Sequence, residues 1–267
     1  MNETIKERIA RLCPIDDVFF EKLMEDKEVC EEILRVILED EKLMVSSVTP
    51  QKSIKNLQGR SVRLDALCVL GDGSAANVEV QKADDDNHLR RVRYNASCIT
   101  ANITDPGTKF EKVPDVYMVY ISKFDMFGKG RTIYHVGPAI RETDDPIDNG
   151  LYEVYVNTKI KDGSTISELM DCFEQEVITN QKFPKLAERV NHFKKDEGGS
   201  EVMCAIMEEY AAEVAAKTLE KGKAEQLVFY VENAVKQLGD LEKACGLIGA
   251  EVAEYNKAKE LLAGATV

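Results

Sequence analysis

No stretch of the chain approaches the ~20 consecutive apolar residues that a bilayer-spanning helix needs. The start, Met1-Asn2-Glu3-Thr4-Ile5-Lys6-Glu7, is charged and lacks an apolar signal core. These two absences give the expectation of a cytoplasmic protein with no membrane partner. Cysteine pairs spaced C-x-x-C are also missing. The seven cysteines, at 13, 30, 68, 98, 172, 204 and 245, are scattered, so zinc-ribbon and thioredoxin-like readings have no spacing to rest on. An odd number without a secretion signal reads as reduced thiols, mostly buried. The three histidines, at 88, 135 and 192, are too dispersed for a triad or a zinc site, and His88 reads as a surface histidine. A basic excess is lacking too. The net charge of −13 argues against a general nucleic-acid coat protein. That charge is uneven, however: between Gln51 and Lys112, ten Lys/Arg stand against eight Asp/Glu. A local basic rim around an acidic site stays compatible with DNA.

The composition that remains, 44% hydrophobic and 31% charged over 267 residues, suits one large globular domain or a domain plus an appendage. Phe19, Phe20, Leu23, Val29, Ile33, Val36 and Ile37 recur at helical spacing, predicting one or two helices from about 17 to 40. Asp16 or Asp17 offers an N-cap. Strands are expected over 44–55, 60–70, 75–81, 113–122, 131–136 and 151–157. The stretch rich in β-formers from Val113 to Ser122 is expected to be central in a sheet. A helix is expected from Asp86 to about Ile103, and helices from Thr165 to the end. The fold class is therefore α/β, with a mixed domain over 1–195 and a helical C-terminal region over 196–267. The latter is a possible homo-oligomerisation arm. Its segment Asp240–Glu251 faintly suggests a helix-turn-helix, but its acidity argues against major-groove contact.

Asp65 and Glu79 are each seven residues from Asp72, the centre of Gly71-Asp72-Gly73. A three-residue hairpin loop commonly ends on a residue with positive φ, which Gly73 suits. Strand partners then sum to 144, and Asp65 faces Glu79 with Cβ atoms ~5 Å apart. Side chains alternate with period two, so Gln81 shares the face of Glu79, and Arg63 that of Asp65. A two-residue loop would send the carboxylates to opposite faces. Two like charges on one face call for a positive neighbour. That neighbour is either a hard divalent cation, which takes carboxylate and carbonyl oxygens, or an arginine: Arg63, Arg90 or Arg91.

Arg63-Leu64-Asp65-Ala66-Leu67, Asn77-Val78-Glu79-Val80-Gln81 and Arg91-Val92-Arg93-Tyr94, in that order, resemble the PD-(D/E)XK nuclease family transposases, the recombination-promoting nucleases of bacteria. Asp17-Val18-Phe19-Phe20, Pro114-Asp115-Val116-Tyr117, the run Phe124–Gly130 and Leu151–Asn157 extend the resemblance over roughly 14–210. It implies a restriction-endonuclease-like mixed sheet flanked by helices, and Mg²⁺-dependent (Mn²⁺ possible) cleavage of DNA phosphodiester bonds. It implies metal binding by Asp65, Glu79 and the backbone carbonyl of Val80. Catalytic roles fall to Asp65, Glu79, Gln81, Arg91 and Tyr94. Gln81 stands where the wider superfamily has Lys: it can place the attacking water but cannot offset charge. Asn95 stands where the family pattern tends to have a second aromatic. The alternative is a degenerate member that binds DNA or protein without cutting.

Gly71-x-Gly73-x-x-Ala76 joins two expected strands, not a strand and a helix, and so is no dinucleotide loop. Gly128-Lys129-Gly130 lacks the upstream glycine of a phosphate-binding loop.

Overall fold

The computed structural model describes residues 4–54, 62–84 and 87–264. The expected strand start at 60–61 and helix start at Asp86 lie outside the described residues. The chain divides into two compact units, Met1–Cys204 and Ala205–Val267.

The first unit opens with three helices: α1 (Ile5–Arg11), α2 (Asp17–Leu23) and α3 (Lys27–Ile37). Strands β1 (Val45–Ile54), β2 (Val62–Leu70) and β3 (Ala75–Gln81) follow. Helix α4 (His88–Ile103) leads through a short 3₁₀ turn (Phe110–Lys112) to β4 (Val116–Ser122). Strands β5 (Ile133–Val136) and β6 (Leu151–Asn157) complete a six-stranded sheet of order β1-β2-β3-β4-β6-β5. The sheet is mixed: β3, β4 and β6 run parallel, and the remaining pairs are antiparallel. A parallel neighbour requires a crossover, and α4 provides it between β3 and β4. Central position shows in burial: β4 is almost wholly buried, whereas the edge strand β1 is mostly exposed and carries Pro50. An edge strand tolerates a residue with no N–H to donate. Helices α5 (Thr165–Phe173) and α6 (Pro184–Lys195) close the unit.

In α3, Val29, Ile33 and Ile37 of the expected stripe are buried, Cys30 and Leu34 join them, and Val36 is half-buried. Asp26 caps it by accepting from the Glu28 amide. One core cluster gathers Leu64 of β2, Val92, Ala96 and Ile99 of α4, Met118 and Tyr120 of β4, and Tyr155 of β6. Burying each such aliphatic side chain contributes about 1.5–3 kcal/mol. The cluster therefore fixes the rotation of α4 over the sheet, and α4 carries residues of the site.

The second unit holds most of the long helix α7 (Glu197–Leu238), then α8 (Leu241–Leu247) and α9 (Val252–Gly264). Val231, Ala234, Ala244, Cys245 and Tyr255 form its small core. Gly249, with φ +71°, makes the turn between α8 and α9, a conformation glycine adopts without strain.

Candidate active site around Glu79

The β2–β3 hairpin turns through Gly71-Asp72-Gly73. Gly73 takes φ +92°, Asp72 accepts from the Ser74 amide, and the Leu70 amide donates to the Ser74 carbonyl. The paired stretch runs from Val69 opposite Ala75 to Ala66 opposite Val78, the register that a three-residue loop dictates. Asp65 and Glu79 come next in this register. There the Val80 amide donates to the Asp65 carboxylate at 3.1 Å.

Glu79 is 2% exposed. Its Oε1 accepts from two amides, Asn95 Nδ2 at 2.6 Å and Asn77 Nδ2 at 2.9 Å. Its Oε2 is buried without a hydrogen-bond partner. Arg91 Nε stands 3.9 Å from that oxygen, near enough for charge and too far for a hydrogen bond. An orphaned buried acceptor costs about 1–3 kcal/mol, so it is rare away from functional sites. Half-buried Asp65 feels the same crowding. Desolvation, then the Glu79 charge, push its carboxyl up to about 7; the Val80 amide and Arg91 pull down, and Glu21 of α2 adds to the rise. The neighbourhood thus holds more negative charge than it neutralises.

The structure brings Asp65, Glu79, the Val80 backbone and Arg91 together. Of the three arginines proposed as neutralisers, Arg91 is the one that approaches Glu79; Arg63 is exposed. Gln81 donates from Nε2 to the Ala83 carbonyl at 3.1 Å, turned onto its own chain. Tyr94 packs, partly buried, against the core cluster of α4. The residue of α4 that joins Arg91 at Glu79 is Asn95, one turn further on. Sequence reasoning assigned Asn95 and Asn77 no role. The signal was available: Asn95 is i+4 from Arg91 on a helix, and Asn77 is i−2 from Glu79 on a strand.

One other expectation is corrected and one is narrowed. His88 is 3% exposed, not a surface residue. Its Nδ1 shares a 2.7 Å hydrogen bond with the Tyr120 hydroxyl, and its ring packs on Phe124. Tyr120 is the partner of Glu79 in the β3–β4 ladder, so this aromatic pair buttresses the site. Asp17 does not cap α2. Asp16 holds the cap position without a side-chain cap bond, its carboxylate taken instead by the Cys13 amide and by Lys82. Asp17 begins the helix within electrostatic reach of Lys82 and Arg91.

Among the described residues, no three His, Cys, Asp or Glu side chains gather as metal ligands. A cation here would have two carboxylates plus backbone and water oxygens. That donor set suits Mg²⁺ or Mn²⁺ and not zinc. The orphaned Glu79 Oε2 fits the same group.

No helix among the described residues is long and apolar enough to cross a membrane. No curated protein and no solved structure matches the chain. The family model of the PD-(D/E)XK nuclease family transposases matches residues 14–162, more than half of the chain and the whole of the six-stranded sheet. With its mixed sheet, flanking helices and C-terminal helical region, the chain belongs to the PD-(D/E)XK nuclease family transposases.

Proposed function

We propose that the protein is a Mg²⁺-dependent DNA endonuclease of a mobile-element family, acting in the cytoplasm, with Mn²⁺ as an alternative ion. The observation that supports this most is the buried, unpartnered Glu79 Oε2 beside a half-buried Asp65. Asp65, Glu79 and the Val80 carbonyl would hold the cation. When bound, it supplies Lewis-acid polarisation of the scissile phosphate. Arg91, 40% exposed, has a guanidinium free to meet a phosphate oxygen while its charge steadies Glu79. Gln81, released from Ala83, would orient the attacking water; being neutral, it offsets no transition-state charge. Tyr94 acts by seating α4. A plasmid-nicking assay with Mg²⁺, and with EDTA as control, tests the assignment. Full activity in purified Glu79→Gln would overturn it.

The hydrogen bond from Gln81 to Ala83 favours a second reading, a degenerate nuclease fold that binds DNA or protein without cutting. Calorimetry separates the two: the second reading expects no Mg²⁺ or Mn²⁺ binding in the millimolar range.

The helical region, read as 196–267, is proposed as a self-association arm. Tyr210, Val214 and Leu219 of α7 are exposed apolar residues. Light scattering on the full chain and on a chain ending near residue 198 tests this, and equal subunit numbers in solution would sink it.

A further inference from the structure

We propose that Asn95, assisted by Asn77, is a positioning residue that fixes the Glu79 carboxylate so that one oxygen alone, Oε2, is presented to a hard divalent cation. The inference rests on the metal-binding reading above and goes beyond it by assigning the device that aims the ligand.

A carboxylate oxygen only accepts, so each asparagine must turn its NH₂ toward Glu79. Both amides fall on the same atom, Oε1, at 2.6 and 2.9 Å. They come from different elements, Asn77 from β3 and Asn95 from α4. Two anchors on one oxygen, fixed to two packed backbones, remove the rotation of the carboxylate about its last bond. All three side chains are 1–3% exposed, so water does not compete for these bonds.

The distribution of donors carries the inference. Polar residues recruited only to satisfy a buried carboxylate would divide their donors between its two oxygens. Here both donors meet on Oε1, while Oε2 is left buried and without one. Asn77 also leaves its own Oδ1 unpartnered, so its amide is oriented for Glu79 and for nothing else. Arg91, at 3.9 Å from Oε2, contributes charge without direction. Local preference does not explain Asn95. Asparagine is a middling helix former, and its neighbours Val92, Ala96 and Ile99 form an apolar core that a nonpolar side chain would join more readily. Hydrogen-bonding partners behind a metal ligand set its orientation, and their loss typically weakens metal affinity by about 10–100-fold.

The test uses the full chain and Mn²⁺ alone, titrated calorimetrically without DNA. Asn95→Ala is expected to weaken Mn²⁺ binding by about tenfold or more. The control is Asn102→Ala, also on α4, whose amide donates to the Cys98 carbonyl and is remote in role from Glu79. It should match the wild type in Mn²⁺ affinity even where its melting temperature falls. Wild-type affinity in a folded Asn95→Ala protein overturns the proposal, because a merely structural amide would lower stability alone. Should Asn95→Ala fail to fold, Asn77→Ser decides: weaker Mn²⁺ binding than the wild type supports the proposal, and wild-type affinity overturns it. A wild-type chain that binds no Mn²⁺ up to millimolar concentrations fails at the earlier step, the metal reading, and removes this inference with it.

Discussion

The two units of the chain treat polarity in opposite ways. Among the described residues, every buried polar or charged side chain lies in the first unit, and Asn77, Glu79, His88 and Asn95 among them lie on β3 and the first half of α4. Among its described residues, the second unit buries aliphatic and aromatic side chains, around Val231, Ala244 and Tyr255, and leaves Leu219, Phe229 and Tyr230 exposed. Burying polar groups is unfavourable unless their bonds are satisfied. A cluster that leaves Glu79 Oε2 and Asn77 Oδ1 unsatisfied is therefore held by the surrounding core, and marks where stability yields to chemistry. The helical unit carries no such burden.

This contrast can be broken in four ways. The largest effect belongs to the core that bears the load. Ile33→Ala in α3, at a site 1% exposed, should lower unfolding free energy by about 2–5 kcal/mol in chemical denaturation. A loss below about 1 kcal/mol would mean that the core is not taut. Next comes the chemistry. Glu79→Gln keeps the shape of the side chain, so the fold should survive, while the Mg²⁺-dependent nicking proposed above should drop by at least the roughly 10–100-fold that loss of a metal ligand's supporting partner costs.

The third concerns Asp65. Its carboxyl, normally near 3.8, sits at about 7 in the fold. The fold favours the protonated form, so this group's contribution to stability is fully present below about pH 4 and is lost as pH rises through about 7. Without added cation, the melting temperature should fall across that window. Asp65→Asn should flatten the slope; the full shift corresponds to about 4 kcal/mol, and discounted for solvent screening at this half-buried site it leaves a difference of about 1–2 kcal/mol or a few degrees. An unchanged slope would show that Asp65 titrates normally. The smallest effect is expected in α7. In a chain diluted below self-association, Leu219, 60% exposed, should tolerate alanine within about 0.5 kcal/mol. At higher concentration the self-association arm predicts a larger loss, and the same small loss at both concentrations would count against a second copy as the partner.

Much of this was legible in the sequence, for identifiable reasons. Gly71-Asp72-Gly73 suits a three-residue loop while leaving a two-residue one open; the structure takes the first, and loop length sets register by arithmetic, so Ala66 faces Val78. Helical spacing placed the α2–α3 region, and β-forming stretches between turn residues placed the six strands to within a few residues at their ends. The partners of Glu79 were harder. Asn95 reaches it only because the packing of Val92, Ala96 and Ile99 sets the roll of α4, a tertiary fact that no local spacing contains. His88 failed for the same reason: a histidine in a polar stretch reads as exposed until Tyr120 and Phe124 close over it. Gln81 was placed on the right strand, but its turn toward Ala83 is a rotamer choice invisible to period two.

The three-residue loop has an evolutionary consequence. Because side chains alternate along a strand, the 71–73 turn acts as a parity lock on the carboxylate pair. Adding one residue there, with the loop held at three, would slip the register by one and throw Asp65 and Glu79 onto opposite faces. Adding two, with the pairing re-formed, would leave them together. Length variation at this turn should therefore be quantised in natural and laboratory-selected relatives. A library of insertions after Asp72, scored for Mn²⁺ binding, would show survivors at even lengths; equal survival at odd lengths would refute the lock.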